Sequence, residues 1–153
     1  MNTLTFPYGE RAHPLFEHIT RPFITLHLHS TLFDQWLTLN DILADTGADI
    51  SVIPLPLGQI FVDNIEHGQP IQLGGSVSST TMFNAFVHRI RARLGEHTFD
   101  MPLAIATSLN IPPIFGRREA LDRFAVHFNK GRELLIGLET TQDPSLLSKV
   151  FNS

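Results

Sequence analysis

Residues 42–53 read Ile42-Leu43-Ala44-Asp45-Thr46-Gly47-Ala48-Asp49-Ile50-Ser51-Val52-Ile53. A carboxylate stands at the end of an apolar run. A hydroxyl residue and a glycine follow, and the chain then re-enters apolar sequence. This layout holds a carboxylate on a tight loop between buried elements, where backbone N–H groups can bind it. Thr46 offers a side-chain donor and acceptor that can lock the loop. Gly47 lets another backbone or a substrate approach closely.

Outward from this loop the chain reads as short strands. Residues 23–29 alternate, with Ile24, Leu26 and Leu28 on one face and Thr25, His27 and His29 on the other. That is the period of a half-buried strand. Residues 36–39 and 42–44 read as strands running up to Asp45, and Val52-Ile53 as a short step closed by a loop at 54–56. Residues 71–73 and 81–86 flank Gly74-Gly75 and predict a hairpin. Residues 88–94 alternate Arg89, Arg91 and Arg93 against Ile90, Ala92 and Leu94, and turn at Gly95-Glu96 into a strand over 98–105. Residues 125–128 and 133–138 form a second hairpin about Asn129-Lys130-Gly131. Two helices are expected: one over 118–124, which has the best helix composition, and one over 144–151, with Asp143 as cap and Pro144 at its first position. Many short strands with few helices indicate an all-β barrel or sandwich.

The whole chain has 153 residues, no Cys, 15 acidic and 11 basic side chains, and 42% hydrophobic residues. This is one domain's length, with a core possible without staples. The lack of Cys excludes a disulfide framework, a thiolate zinc site and a Cys nucleophile. A net charge of −4 argues against nucleic acid as partner. The Arg89, Arg91, Arg93 stripe reads as an exposed strand face that blunts edge pairing. The eight His lack metal-ligand spacing and read as surface or strand-face residues, so no metal or cofactor is expected. Apolar runs such as 134–138 are too short to span a bilayer. Residues 1–16 lack a basic start followed by an apolar block, so no secretory signal is expected and the location is read as cytoplasmic.

Asp45-Thr46-Gly47-Ala48 resembles the Asp-Thr/Ser-Gly-Ala signature of the retropepsin-like (retroviral-type) aspartic proteases. Ile114-Phe115-Gly116-Arg117 resembles the family's second element, two apolar residues and a glycine before a short helix. Between them, Ile71-Gln72-Leu73-Gly74-Gly75-Ser76-Val77 is similar to the flap hairpin, and Arg21-Pro22-Phe23-Ile24-Thr25 to the opening strand. The resemblance covers roughly residues 21–138 and is strongest to stand-alone bacterial and cellular members. It leaves 1–20 as an N-terminal extension and 139–153 as a tail.

The resemblance implies an acid-protease barrel and an aspartic endopeptidase. Two carboxylates about 3 Å apart share one proton, activate a water and protonate the substrate carbonyl. The chain holds one Asp-Thr-Gly, since Asp63, Asp100 and Asp122 are followed by Asn, Met and Arg. A single copy in this length implies a homodimer in which the two Asp45 side chains meet near a two-fold axis. Thr46, Gly47 and Ala48 would build the active-site loop. Asp49, Gly74 and Gly75 would contact an extended peptide, bound as an added strand. Arg117 would pair with Asp49, and Arg21 of the partner would complete that network. After Gly75, Ser76-Val77-Ser78-Ser79 stands where family flaps are often richer in Gly. This leaves a rival reading, a dimeric peptide-binding or assembly module with little turnover. A nucleic-acid-binding barrel, resting on the Arg stripe, is opposed by the net charge.

Overall fold

The computed structural model describes residues 2–75 and 78–138. The strands in chain order are β1 (Thr3–Pro7), β2 (Gly9–His13), β3 (Glu17–Arg21), β4 (Phe23–Ser30), β5 (Gln35–Ala44), β6 (Ser51–Pro54), β7 (Gln69–Gly75), β8 (Ser78–Leu94), β9 (His97–Ala106), β10 (Ile114–Phe115), β11 (Ala125–Asn129) and β12 (Glu133–Gly137). One turn of helix, α1 (Leu55–Gly58), follows β6.

Seven strands form one sheet in the order β4-β5-β10-β6-β9-β8-β7, and a further β4–β8 pairing curls it back on itself. The alternation in β4 does what its period requires: Ile24, Leu26 and Leu28 are buried, and Thr25, His27 and His29 are half-buried. They meet Ile42 and Ala44 of β5, Ile90, Ala92 and Leu94 of β8, and Met101, Leu103 and Ile105 of β9 in the main core. β9 is buried at every position from Met101 to Ala106 because it lies inside the sheet, between β6 and β8. A smaller cluster of Val52, Ala85, Ala104 and Ala106 carries Ile50, Ile71, Leu73, Phe83, Val87 and Ile111 at its margin.

Residues 3–21 are built into the fold. β1 pairs antiparallel with β12, which also pairs with β11, so the last described strand lies between two strands of its own chain. β2 and β3 form a separate hairpin. Arg11 anchors it, lying over the Phe23 ring at 4.3 Å and pairing with Asp41 at 3.3 Å.

Three local expectations need correction. Residues 36–39 and 42–44 are one strand, not two. Asn40-Asp41 bulges opposite Thr25, with Asp41 at φ 57°, so the polar pair marks a bulge and not a break. The loop at 54–56 is the start of α1, where Pro56 occupies the first turn, the position in a helix that tolerates its missing N–H. The helix over 118–124 is instead a turn followed by a 3-10 segment, Leu121–Arg123. Glu119 at φ 50° and Ala120 at ψ −99° leave helical space, so good composition does not propagate. The helix expected over 144–151 lies outside the described residues.

Candidate active site

β5 and β6 are consecutive in the chain, yet β10 lies between them, parallel to β5 and antiparallel to β6. The loop that joins them must cross the end of β10. Asp45 stands at the start of this crossing, and its N–H donates to the Phe115 carbonyl at 3.0 Å. The loop closes on itself: the Gly47 N–H donates to Asp45 Oδ1 at 2.9 Å, and the Ala48 N–H to the Asp45 carbonyl at 3.2 Å. A Cβ on Gly47 would lie 3.2 Å from Asp45 Oδ1, so any larger residue presses on the carboxylate. Asp45 is half-buried and Thr46 is exposed.

Beneath the crossing sits Gly116. A Cβ there would lie 2.6 Å from the Ile50 carbonyl carbon and oxygen and 2.9 Å from the Ala48 oxygen. Glycine is thus required by close approach of two backbones. The Gly116 N–H donates to the buried Ser51 Oγ at 3.0 Å. The Arg117 N–H donates to the Ala48 carbonyl at 3.0 Å, and the Arg118 N–H to the Asp49 carbonyl at 2.9 Å. The Arg117 guanidinium pairs with the Asp49 carboxylate, as the sequence reading expected for these two.

A cleft of about 1040 Å3 opens over this loop, lined by Asp45, Gly47, Ala48 and Asp49 on one side. Its lining also includes the apolar residues Ile50, Val52, Ile71, Leu73, Phe83 and Ile114. The β7–β8 hairpin forms a wall, with Leu73 opposite Phe83 and Gly74 opposite Met82. Gly74 lines the cleft, and a Cβ added to it would meet nothing within 4 Å. Gly75 pairs with Ser78 farther along the hairpin. Arg21 is exposed at the end of β3, opposite Gly9.

Several residues at this site escaped the sequence reading. Arg89 reaches Glu119 with two hydrogen bonds of 3.1 Å, and both line the cleft with His88 and Arg118. The hydrogen bond from Arg89, then the charges of Arg89, Arg123 and Arg118, hold the Glu119 carboxyl below its ordinary range. The partners are 30 residues apart, so no local spacing betrays them. Each Arg of the stripe has a partner: Arg89 pairs with Glu119, Arg91 with Asp100 at 3.6 Å, and Arg93 lies over the Trp36 ring at 4.0 Å. Among the described residues, no cluster of His, Asp and Glu is placed to hold a metal, and no helix is long and apolar enough to cross a membrane.

No protein-family model matches the chain, and no curated protein matches it by sequence. Among solved structures, a retropepsin-like aspartic protease from Rickettsia conorii is similar at a TM-score of 0.53 and 13% identity, over 89% of this chain and 94% of that one. The EIAV protease complexed with the inhibitor HBY-793 is similar at a TM-score of 0.42 and 21% identity, over 70% and 88%. The fold of this chain is that of the retropepsin-like aspartic proteases.

Proposed function

We propose that the chain is an aspartic endopeptidase that works as a homodimer, with Asp45 of each subunit forming a dyad at a two-fold axis. The observation that carries this reading is the Asp45 loop. A carboxylate is fixed by the Gly47 N–H, at the edge of an apolar cleft, in a retropepsin-like fold. One chain supplies one such carboxylate, and carboxylate-driven peptide hydrolysis needs two, so the second comes from a second copy.

In the dimer one carboxylate is ionised and takes a proton from a bound water. The other donates its proton to the peptide carbonyl oxygen. The water attacks, and a gem-diol collapses to acid and amine. No covalent enzyme intermediate or metal is required. Thr46, exposed on each loop, hydrogen-bonds across the axis and holds the pair in register. The peptide lies extended between the loop and the β7–β8 hairpin, which acts as flap. Gly74 supports this assignment, because among the described residues nothing crowds the place of its missing side chain. The Arg117–Asp49 pair braces the loop end, and Arg21 of the second subunit joins it.

Cleavage of a peptide library across pH 3–7 tests the reading, with Asp45→Asn run beside the wild type. Wild-type turnover with an inert variant supports it. If both proteins are inert and both bind peptide, the chain is instead a peptide-binding module on the same fold.

A further inference from the structure

The charges around the cleft are not all paired with one another. Three carboxylates line it, those of Asp45, Asp49 and Glu119, with two guanidiniums, those of Arg89 and Arg118. Asp49 is taken by Arg117, and Glu119 by Arg89. Asp45 belongs to the reaction. Among the described residues, Arg118 has no carboxylate within ion-pair distance. An exposed guanidinium facing a cleft, with nearby acids already engaged, has its donors free for a ligand.

Arg118 is also held in place. Its N–H is fixed to the Asp49 carbonyl at 2.9 Å, so it stands immediately beside the active-site loop. The next residue, Glu119, is in the left-handed region at φ 50°. A non-glycine residue persists there only when its surroundings determine it. Here they do: Arg89 grips the carboxylate from β8, and Arg123 Nε donates to the Glu119 carbonyl at 2.7 Å. The clamp sets the turn that presents Arg118 to the cleft.

We infer that Arg118 is a specificity residue that selects an acidic side chain in the peptide, next to the segment that meets the apolar lining of the cleft. The inference rests on the peptidase reading of the cleft. In a two-fold dimer Arg118 occurs at both ends of the bound strand, so the preference appears on both sides of the cut bond. Arg suits this task because its planar fork matches a carboxylate. Glu119 and Arg89, which also line the cleft, position Arg118.

The test is a set of fluorogenic peptides with apolar residues at the cut bond and Glu, Gln or Lys placed in turn at each flanking position. Wild type is expected to favour Glu over Gln by about tenfold in kcat/KM at one position on each side, the scale of a charge-assisted hydrogen bond. Arg118→Gln abolishes the ratio, Arg118→Lys keeps part of it, and Arg118→Glu turns the preference to Lys. Arg89→Gln lowers the ratio, and Arg89→Lys restores part of it. The same peptides are titrated onto Asp45→Asn, with and without Arg118→Gln, by fluorescence anisotropy. Cleavage with no acidic preference, or a preference that survives Arg118→Gln, overturns the inference and leaves the peptidase standing. Arg118-dependent binding of acidic peptides without wild-type cleavage overturns the peptidase and leaves the recognition. Neither cleavage nor binding overturns both.

Discussion

The Gly116 N–H donates to Ser51 Oγ at 3.0 Å inside the protein, tying the end of the Asp45 loop to the strand beneath it. Both partners are buried, Ser51 at 1% exposure, so neither can turn to water instead. Ser51→Ala leaves the Gly116 N–H unpaired and is expected to cost about 1–3 kcal/mol. Gly116→Ala drives a Cβ into the Ile50 backbone and is expected to cost about 3 kcal/mol or more. Urea titration of both variants checks the order, Gly116→Ala being the worse.

Asp45→Asn keeps an oxygen able to accept from the Gly47 N–H, so the loop survives. Its folding stability is expected to stay within about 0.5 kcal/mol of wild type, while peptide cleavage is lost. Thermal unfolding beside the cleavage assay reads both. A large drop in stability would mark Asp45 as a folding residue and remove the reason to call it catalytic.

The hairpin between β11 and β12 turns at Lys130, φ 51°, and Gly131, φ 69°, and the Arg132 N–H closes it onto the Asn129 carbonyl at 2.9 Å. Two successive positive φ angles define a type I′ turn, which disfavours Lys at its first position. Lys130→Asn is expected to raise stability by roughly 0.5–1 kcal/mol. A higher urea midpoint with an unchanged slope is the expected signature.

Glu119 gives stability a pH dependence whose sign is fixed. Its carboxyl is held below the ordinary value near 4.5, first by the hydrogen bond from Arg89. A lowered folded pKa adds stability above the unfolded value and loses it as pH falls through the folded one. Glu119→Gln is therefore expected to differ most from wild type at neutral pH, with the gap closing as pH falls through and below the ordinary carboxylate range. The group is exposed, so the gap also shrinks in 1 M salt. Melting temperatures of both proteins across pH 3–7 test this.

Local pattern made part of the molecule legible before any coordinates. The alternation at Ile24, Leu26 and Leu28 is visible because a strand repeats every two residues. The Asp45 loop is visible because its hydrogen bonds join neighbours: Asp45 to Gly47 and Ala48. What was not legible depends on distant pairing. Asp41 sits in a bulge only because β4 lies opposite it. Residues 118–124 carry helical composition, yet the Glu119 clamp by Arg89 and Arg123 holds a non-helical turn. β1 reads as an extension until β12 is seen to need an edge partner.

That placement of β12 has a consequence for assembly. Among the described residues β12 is paired on both sides within its own chain, which leaves β1 and β11 as the open edges of that sheet. A second copy can therefore add to this sheet only at an edge. Under the proposed dimer the two halves of the site separate on dilution, so activity per chain falls with concentration by mass action.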